Sequence, residues 1–442
     1  MEPSSCLKDF FKYSSLNVMG MIGLSCYILA DTFFVSKGLG TNGLTALNLA
    51  IPFYSFIHGS GLMIGMGAST KYSIQKSQGS HQHANNTFTS AVFLAACFAA
   101  FFVLIGIFLS GPVITLFTSN PDIFAMSKTY LYFIMLFAPV FLINNILLCF
   151  VRNDGAPQLS MASMIGGSLS NIVLDWVFIF PCRMGIFGAV FATGLAPIIS
   201  MMILSSHFIR KKNQFHFTKC RPDRSEIAGI LSSGIPSLIT EISSGIVIII
   251  FNAIILTLEG NVGVAAYGVI TNLSLVIIAI YTGIAQGIQP ITSRSYGTGN
   301  YHTAKQILRY ALTFMLILSA VIYIVIFVGA NQITNIFNSE HNALLQEIAS
   351  NGLRLYFMAC PFVGFNIIIS MYFTSTEYPK PAHIISVLRG FLIIIPMAFL
   401  LSSIGEIYGI WCSFPATELI VSIIGILFCT SQKLSSRINL LP

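Results

Sequence analysis

The sequence predicts an all-α integral membrane protein, with twelve transmembrane helices in two parallel-repeat six-helix bundles. Three observations carry that expectation. Of 442 residues, 55% are hydrophobic and only 8% are charged, against roughly a quarter charged in soluble proteins; a water-soluble globule of this size could not dress its surface. Mean hydropathy is +0.82. Apolar runs recur twelve times, each close to the ~20 residues a helix needs to cross a bilayer. The two halves of the chain also match at a fixed offset. A large soluble domain is excluded, because twelve crossings leave only short loops.

The runs fall at 14–35, 44–68, 88–114, 130–151, 159–180 and 186–208, then at 231–256, 264–288, 307–330, 353–373, 384–401 and 408–430. Each is about twice the spanning length of a strand and lacks period-2 alternation, so helices rather than barrel strands are expected. The first run contains Asp31 and is too long for a cleavable signal, so it reads as a membrane helix. The cysteines number nine, lack any Cys-x-x-Cys and lie largely in apolar runs. They read as small hydrophobes and imply neither a disulfide framework nor a zinc site.

Orientation follows from the basic residues. With both termini in the cytoplasm, 17 Lys and Arg positions fall inside, Arg152 and Arg221 among them. Four (Lys37, Lys128, Arg183 and Arg354) fall outside, and Arg389 lies near the inner end of the eleventh run. That bias predicts a multi-pass protein of the cytoplasmic (inner) membrane. The net charge of +7 then reports orientation, and no nucleic-acid partner is expected.

The longest polar stretch, Arg210–Arg224, reads as a solvated loop and hinge between an amino-terminal lobe (1–212) and a carboxyl-terminal lobe (227–442), with the linker at 213–226. Shifting the chain by 220 residues pairs Gly43 with Gly263, Gly67 with Gly287, Ser73 with Ser293 and Gly79 with Gly299. An even number of crossings per half makes the repeats parallel, a transporter architecture.

Four acids lie inside the apolar runs: Asp31, Asp175, Glu241 and Glu418. Each costs at least about 2.5–3.5 kcal/mol at a bilayer centre, so each should face a cavity, a partner or an ion. Asn171 and Asp175 are four apart and project from one helix face. Their oxygens suit a hard cation such as Na⁺, and a desolvated carboxylate suits a proton. Asp31 reads either as a second carboxylate of that site or as an interfacial cap. At the 220 offset Asp31, Asn171 and Asp175 fall on Phe251, Phe391 and Ile395, so one half holds the ion chemistry.

Glu241 follows Pro236, which frees backbone carbonyls, and reads as a cleft carboxylate for substrate or proton, or as a packing carboxylate. Glu418 is a weaker cleft candidate that could instead bond a neighbouring helix. Gly61-x-x-x-Gly65 and Gly283-x-x-x-Gly287 read as close helix packing. His81 and His83 lack a third metal ligand nearby, and His58 reads as a packing residue. No phosphate loop, Ser/His/Asp order or His-Glu-x-x-His motif occurs.

The stretches 31–40 (D-T-F-F-V-S-K-G-L-G), 43–52 (G-L-T-A-L-N-L-A-I-P), 171–176 (N-I-V-L-D-W), 185–193, 263–270 and 283–297, in that order, resemble the multidrug and toxic compound extrusion family. The resemblance implies two six-helix lobes around a cleft that exports organic, often cationic, compounds in exchange for Na⁺ or H⁺. It carries the cation site to Asp31, Asn171, Asp175 and Thr193. One departure is the absence of the family's first-helix proline, where this chain has Leu16 and Asn17; Gly20 and Gly23 then become the candidate points of flexibility.

The function expected is therefore a secondary antiporter, monomeric, with no cofactor beyond the coupling ion and no enzymatic activity. The nearest alternative is a lipid-linked precursor or polysaccharide flippase of the same superfamily, whose cleft should be more basic. A membrane-embedded enzyme would need a nucleophile or metal cluster. A channel suits two halves with one-sided carboxylates poorly.

Overall fold

The structure is a computed structural model describing residues 3–219, 222–338 and 342–438. The amino-terminal half contains α1 (Pro3–Ser77), α2 (His81–Thr115), α3 (Pro121–Leu136), α4 (Ala138–Asn153), α5 (Pro157–Ile179) and α6 (Gly185–Ile209). The second half contains α7 (Arg224–Gly297), α8 (Tyr301–Phe337), α9 (Ala343–Tyr356), α10 (Cys360–Ser375), α11 (Pro379–Val387) and α12 (Ile394–Ile438).

These elements are not twelve crossings one for one. At 1.5 Å per residue α1 would run roughly 110 Å, more than three bilayer cores. It is two crossings joined without a loop at Gly40, where φ is 66° and ψ is −158°. The join in α7 is Gly260, with φ 63° and ψ −151°. Only glycine enters that region at low cost. α12 breaks at Gly405 and Glu406, so α11, the π turn Leu388–Leu392 and the first arm of α12 form one crossing. α3 and α4 meet at a 47° bend and form another, and α9 joins α10 through the turn Phe357–Ala359. Twelve crossings result among the described residues, as the sequence predicts.

The repeat is visible in the backbone. Gly40 and Gly260, the helix ends Ser77 and Gly297, the helix starts His81 and Tyr301, and the breaks at Phe137 and Phe357 are pairs at the same 220-residue offset.

Each half buries its own apolar core, one around Phe88, Phe102, Leu142 and Phe150 and the other around Tyr267, Tyr281, Phe357 and Trp411. The halves also exchange ends. Cys6, Phe10 and Tyr13 of α1 pack in the second core, and Phe10 meets Tyr310 and Phe314. Ile230 of α7, the repeat partner of Phe10, packs in the first.

Along this seam backbones nearly touch. A Cβ on Gly234 would stand 1.8 Å from the Met63 carbonyl oxygen, and one on Gly287 would stand 2.6 Å from the Cα of Ser14. The Gly61 and Gly65 pair packs on Asn145 within its own lobe. Close packing is thus what both glycine pairs do.

Most described residues of the linker are exposed, as expected of a solvated loop, but it is anchored at one point. Phe215 is 1% exposed, set among Tyr72, Phe88, Phe150 and Phe208. The backbone N–H of Gln214 donates to Asp154 Oδ2 at 2.8 Å, that of His216 to Asn85 Oδ1 at 3.0 Å and that of Thr218 to Thr89 Oγ1 at 3.0 Å. An aromatic anchor and three backbone donors strap residues 214–218 to the amino-terminal lobe. Arg221, counted as an inside cation, lies outside the described residues.

Candidate functional site

Asp31 on the first arm of α1, Asn171 and Asp175 on α5, and Thr193 on α6 come together inside the amino-terminal lobe. All four are buried, Asn171 and Asp175 completely. The Asp31 and Asp175 carboxyl groups approach within hydrogen-bonding reach of each other. With its amide nitrogen facing the carboxylate, Asn171 donates to Asp175 Oδ2 at 2.9 Å and accepts from the Thr193 N–H at 3.3 Å. One oxygen on each acid, Asp31 Oδ1 and Asp175 Oδ1, is buried without any donor. Neither acid forms an ion pair among the described residues. Two adjacent carboxyl groups in this state require a positive partner, a proton or a small hard cation, because like charges in contact cannot both remain uncompensated.

Close packing of α1 on α5 sets this geometry. A Cβ on Gly20 would stand 2.9 Å from Met164 Sδ, and one on Gly23 would stand 3.4 Å from Ile165. These glycines seat α5 against α1, which is helical as far as Gly40.

Two tyrosines join the site. Tyr27 lies one turn before Asp31, a spacing that sequence alone could have flagged, and its hydroxyl bonds that of Tyr54 at 2.8 Å. Tyr130 on α3, 4% exposed, lies near Thr193; nothing local in the sequence marks it.

Glu241 and Glu418 part company. Glu241 lies on α7 at the seam, where a Cβ on Gly59 would stand 3.0 Å from its own Cβ, and it forms no ion pair among the described residues. The carbonyl of Ser232, freed by Pro236, accepts from His383 Nε2 at 2.5 Å. Glu418 is 2% exposed and sits inside the carboxyl-terminal lobe. Its Oε1 accepts from Arg389 Nε at 3.1 Å and Nη2 at 2.8 Å, and its Oε2 accepts from Asn366 Nδ2 at 2.7 Å. The sequence alternative of a bond to a neighbouring helix is the geometry found. Arg389, at the π turn, is this partner rather than an inner-end cation.

Arg152 departs further from its expected place in a loop. It is 2% exposed, on the last turn of α4. Asp154, which the count of membrane acids passed over, accepts from Lys76 Nζ at 2.6 Å, Tyr72 Oη at 2.7 Å and His207 Nε2 at 2.9 Å. Among the described residues no three His, Cys, Asp or Glu side chains group as metal ligands.

Twelve helical crossings in two repeated lobes, with polar chemistry buried between helices, define the class: a multi-pass membrane transporter. The chain belongs to the MatE family, whose profile it matches over residues 18–177 and 236–400, more than half its length. It is similar to the multidrug export protein MepA of Staphylococcus saprophyticus, 23% identical over 430 residues covering 96% of this chain and 94% of that one. A crystal structure of MATE in complex with MaL6 superposes with a TM-score of 0.91 at 22% identity and covers 96% of both chains. The outward-facing conformation of a multidrug resistance MATE family transporter gives 0.89 at 22% identity, covering 96% of this chain and 95% of that one.

Proposed function

We propose that this chain is a secondary antiporter of the cytoplasmic membrane, acting as a monomer with both termini inside, that exports organic, often cationic, compounds in exchange for Na⁺ or H⁺. The observation that carries the reading is the approach of Asp31 and Asp175, buried with an orphaned oxygen on each and no base paired to either among the described residues. Cation entry neutralises the pair; substrate occupies the cleft between the lobes, near Glu241. The two exclude each other because each favours a different arrangement of the lobes, and only such differential affinity can couple them. The multidrug export named for MepA, which matches over nearly its whole length, supports the substrate class. A precursor flippase would need free basic groups in the cleft, but Arg389 is tied to Glu418 and Arg152 is held within the seam.

Purified protein in liposomes, given a Na⁺ gradient or a pH gradient separately, tests this reading with ethidium as the exported cation. One of the two gradients should drive export. Asp175→Asn should reduce it by about 100-fold, the scale of losing a buried charged interaction worth 2–3 kcal/mol, with normal insertion. Undiminished gradient-driven export by that variant removes the proposed ion site.

A further inference from the structure

Among the described residues, the side-chain hydrogen bonds that join the two lobes lie toward the end of the bundle that holds the amino terminus, and their centre is α4's last turn. Arg152 Nη1 donates to Asn17 Oδ1 at 2.8 Å and, across the seam, to Gln286 Oε1 at 2.7 Å. Its Nη2 faces only sulfur, Met66 Sδ at 3.2 Å and Cys149 Sγ at 3.6 Å, and its Nε is buried without an acceptor. Asn153 Nδ2 donates to Gln289 Oε1 at 2.9 Å, and Gln289 Nε2 returns a bond to Asn153 Oδ1 at 3.1 Å and reaches Thr70 Oγ1 at 3.0 Å. Asp154, the next residue, directs its carboxylate to Lys76, His207 and the linker instead.

A buried guanidinium normally has a carboxylate partner, and its absence leaves much of the desolvation cost uncompensated. Held by neutral oxygens, the closed seam lies close in free energy to a state in which water reaches Arg152. A contact that opens and closes in every cycle needs that small gap; a full ion pair would bias it too far toward closure.

We propose that Arg152 and Asn153 of one lobe and Gln286 and Gln289 of the other are the inner gate of the transport cycle, closed here and parted when the cleft opens at this end. The proposal rests on the alternating-access reading above and not on the identity of the coupling ion.

Cys149 supplies the readout, because it is buried at 2% under Arg152 and touches neither glutamine; Cys360, also 2% exposed, lies in the other lobe's core and reports global loosening. Full-length protein in liposomes is treated with N-ethylmaleimide, and both cysteines are followed by peptide mass spectrometry. Gln286→Ala should speed Cys149 modification by about tenfold, the effect of shifting the gate by one tenfold step in its equilibrium. Gln286→Glu gives Arg152 its missing counterion; it should slow that modification by about tenfold and lower export turnover with substrate KM little changed. Cys360 should keep one rate in all three proteins. Equal Cys149 rates, Cys149 and Cys360 moving together, or full turnover in Gln286→Glu each overturn the gate. Full export by Asp175→Asn would overturn the ion site and leave these results standing.

Discussion

In the amino-terminal lobe Asp31 and Asp175 lie close to each other with no base paired to either among the described residues, whereas in the carboxyl-terminal lobe Glu418 is held by Arg389 at 2.8 Å and by Asn366 at 2.7 Å. Both acidic groups are buried between helices, and the backbones around them repeat at one offset. The difference is who supplies the positive charge. The second lobe carries its own in Arg389. The first lobe supplies none among the described residues, as the proposed coupling site requires. Backbone repetition therefore does not imply functional repetition.

The contrast can be broken at its strongest point. Arg389→Ala strands the Glu418 carboxylate in the interior and should cost about 3–5 kcal/mol, read as a large fall in the thermal unfolding midpoint in detergent. Arg389→Met combined with Glu418→Met should recover most of it, because two apolar groups replace a pair that owed much of its energy to desolvation. Failure of the double variant to recover would make the pair more than a neutralised interior charge. The same measurement on Asp175→Asn, in Na⁺-free buffer at neutral pH, should move the other way. Removing one of two uncompensated acids stabilises by about 1–3 kcal/mol, while transport is lost. A destabilised Asp175→Asn would mean that a resident partner holds the pair after all. The smallest effect expected is that of His383→Ala, which leaves the Ser232 carbonyl below Pro236 unpaired and should cost about 1 kcal/mol. No change there would mean that the carbonyl finds water.

What the sequence could reveal followed from periodicity and local spacing. Twelve apolar runs, the 220-residue repeat, and Asn171 one turn before Asp175 were all legible because each is a pattern along the chain. The joins were less so: Gly40 and Gly260 obey the same offset, yet nothing in the runs says that a helix turns back with no loop between. Pairings across long separations left no trace. Arg389 and Glu418 sit on different crossings, and neither neighbourhood names the other. Arg152 misled for a physical reason, since it stands in R-N-D-G-A-P, where turn residues imitate a solvated loop. Partners distant in sequence, Asn17 and Met66 in its own half and Gln286 in the other, surround it. Phe215 misled likewise, one aromatic in a basic stretch whose binding nest comes from four separate helices.

The swapped ends of α1 and α7 bear on how this molecule is made. Phe10 packs against Tyr310 and Phe314 of the second half, and Ile230 belongs to the core of the first. The earliest turns of the leading bundle therefore lack these partners until α8 has been made. Either half synthesised alone would lack a portion of its interior, so assembly of this chain is a mutual event rather than the docking of two finished parts.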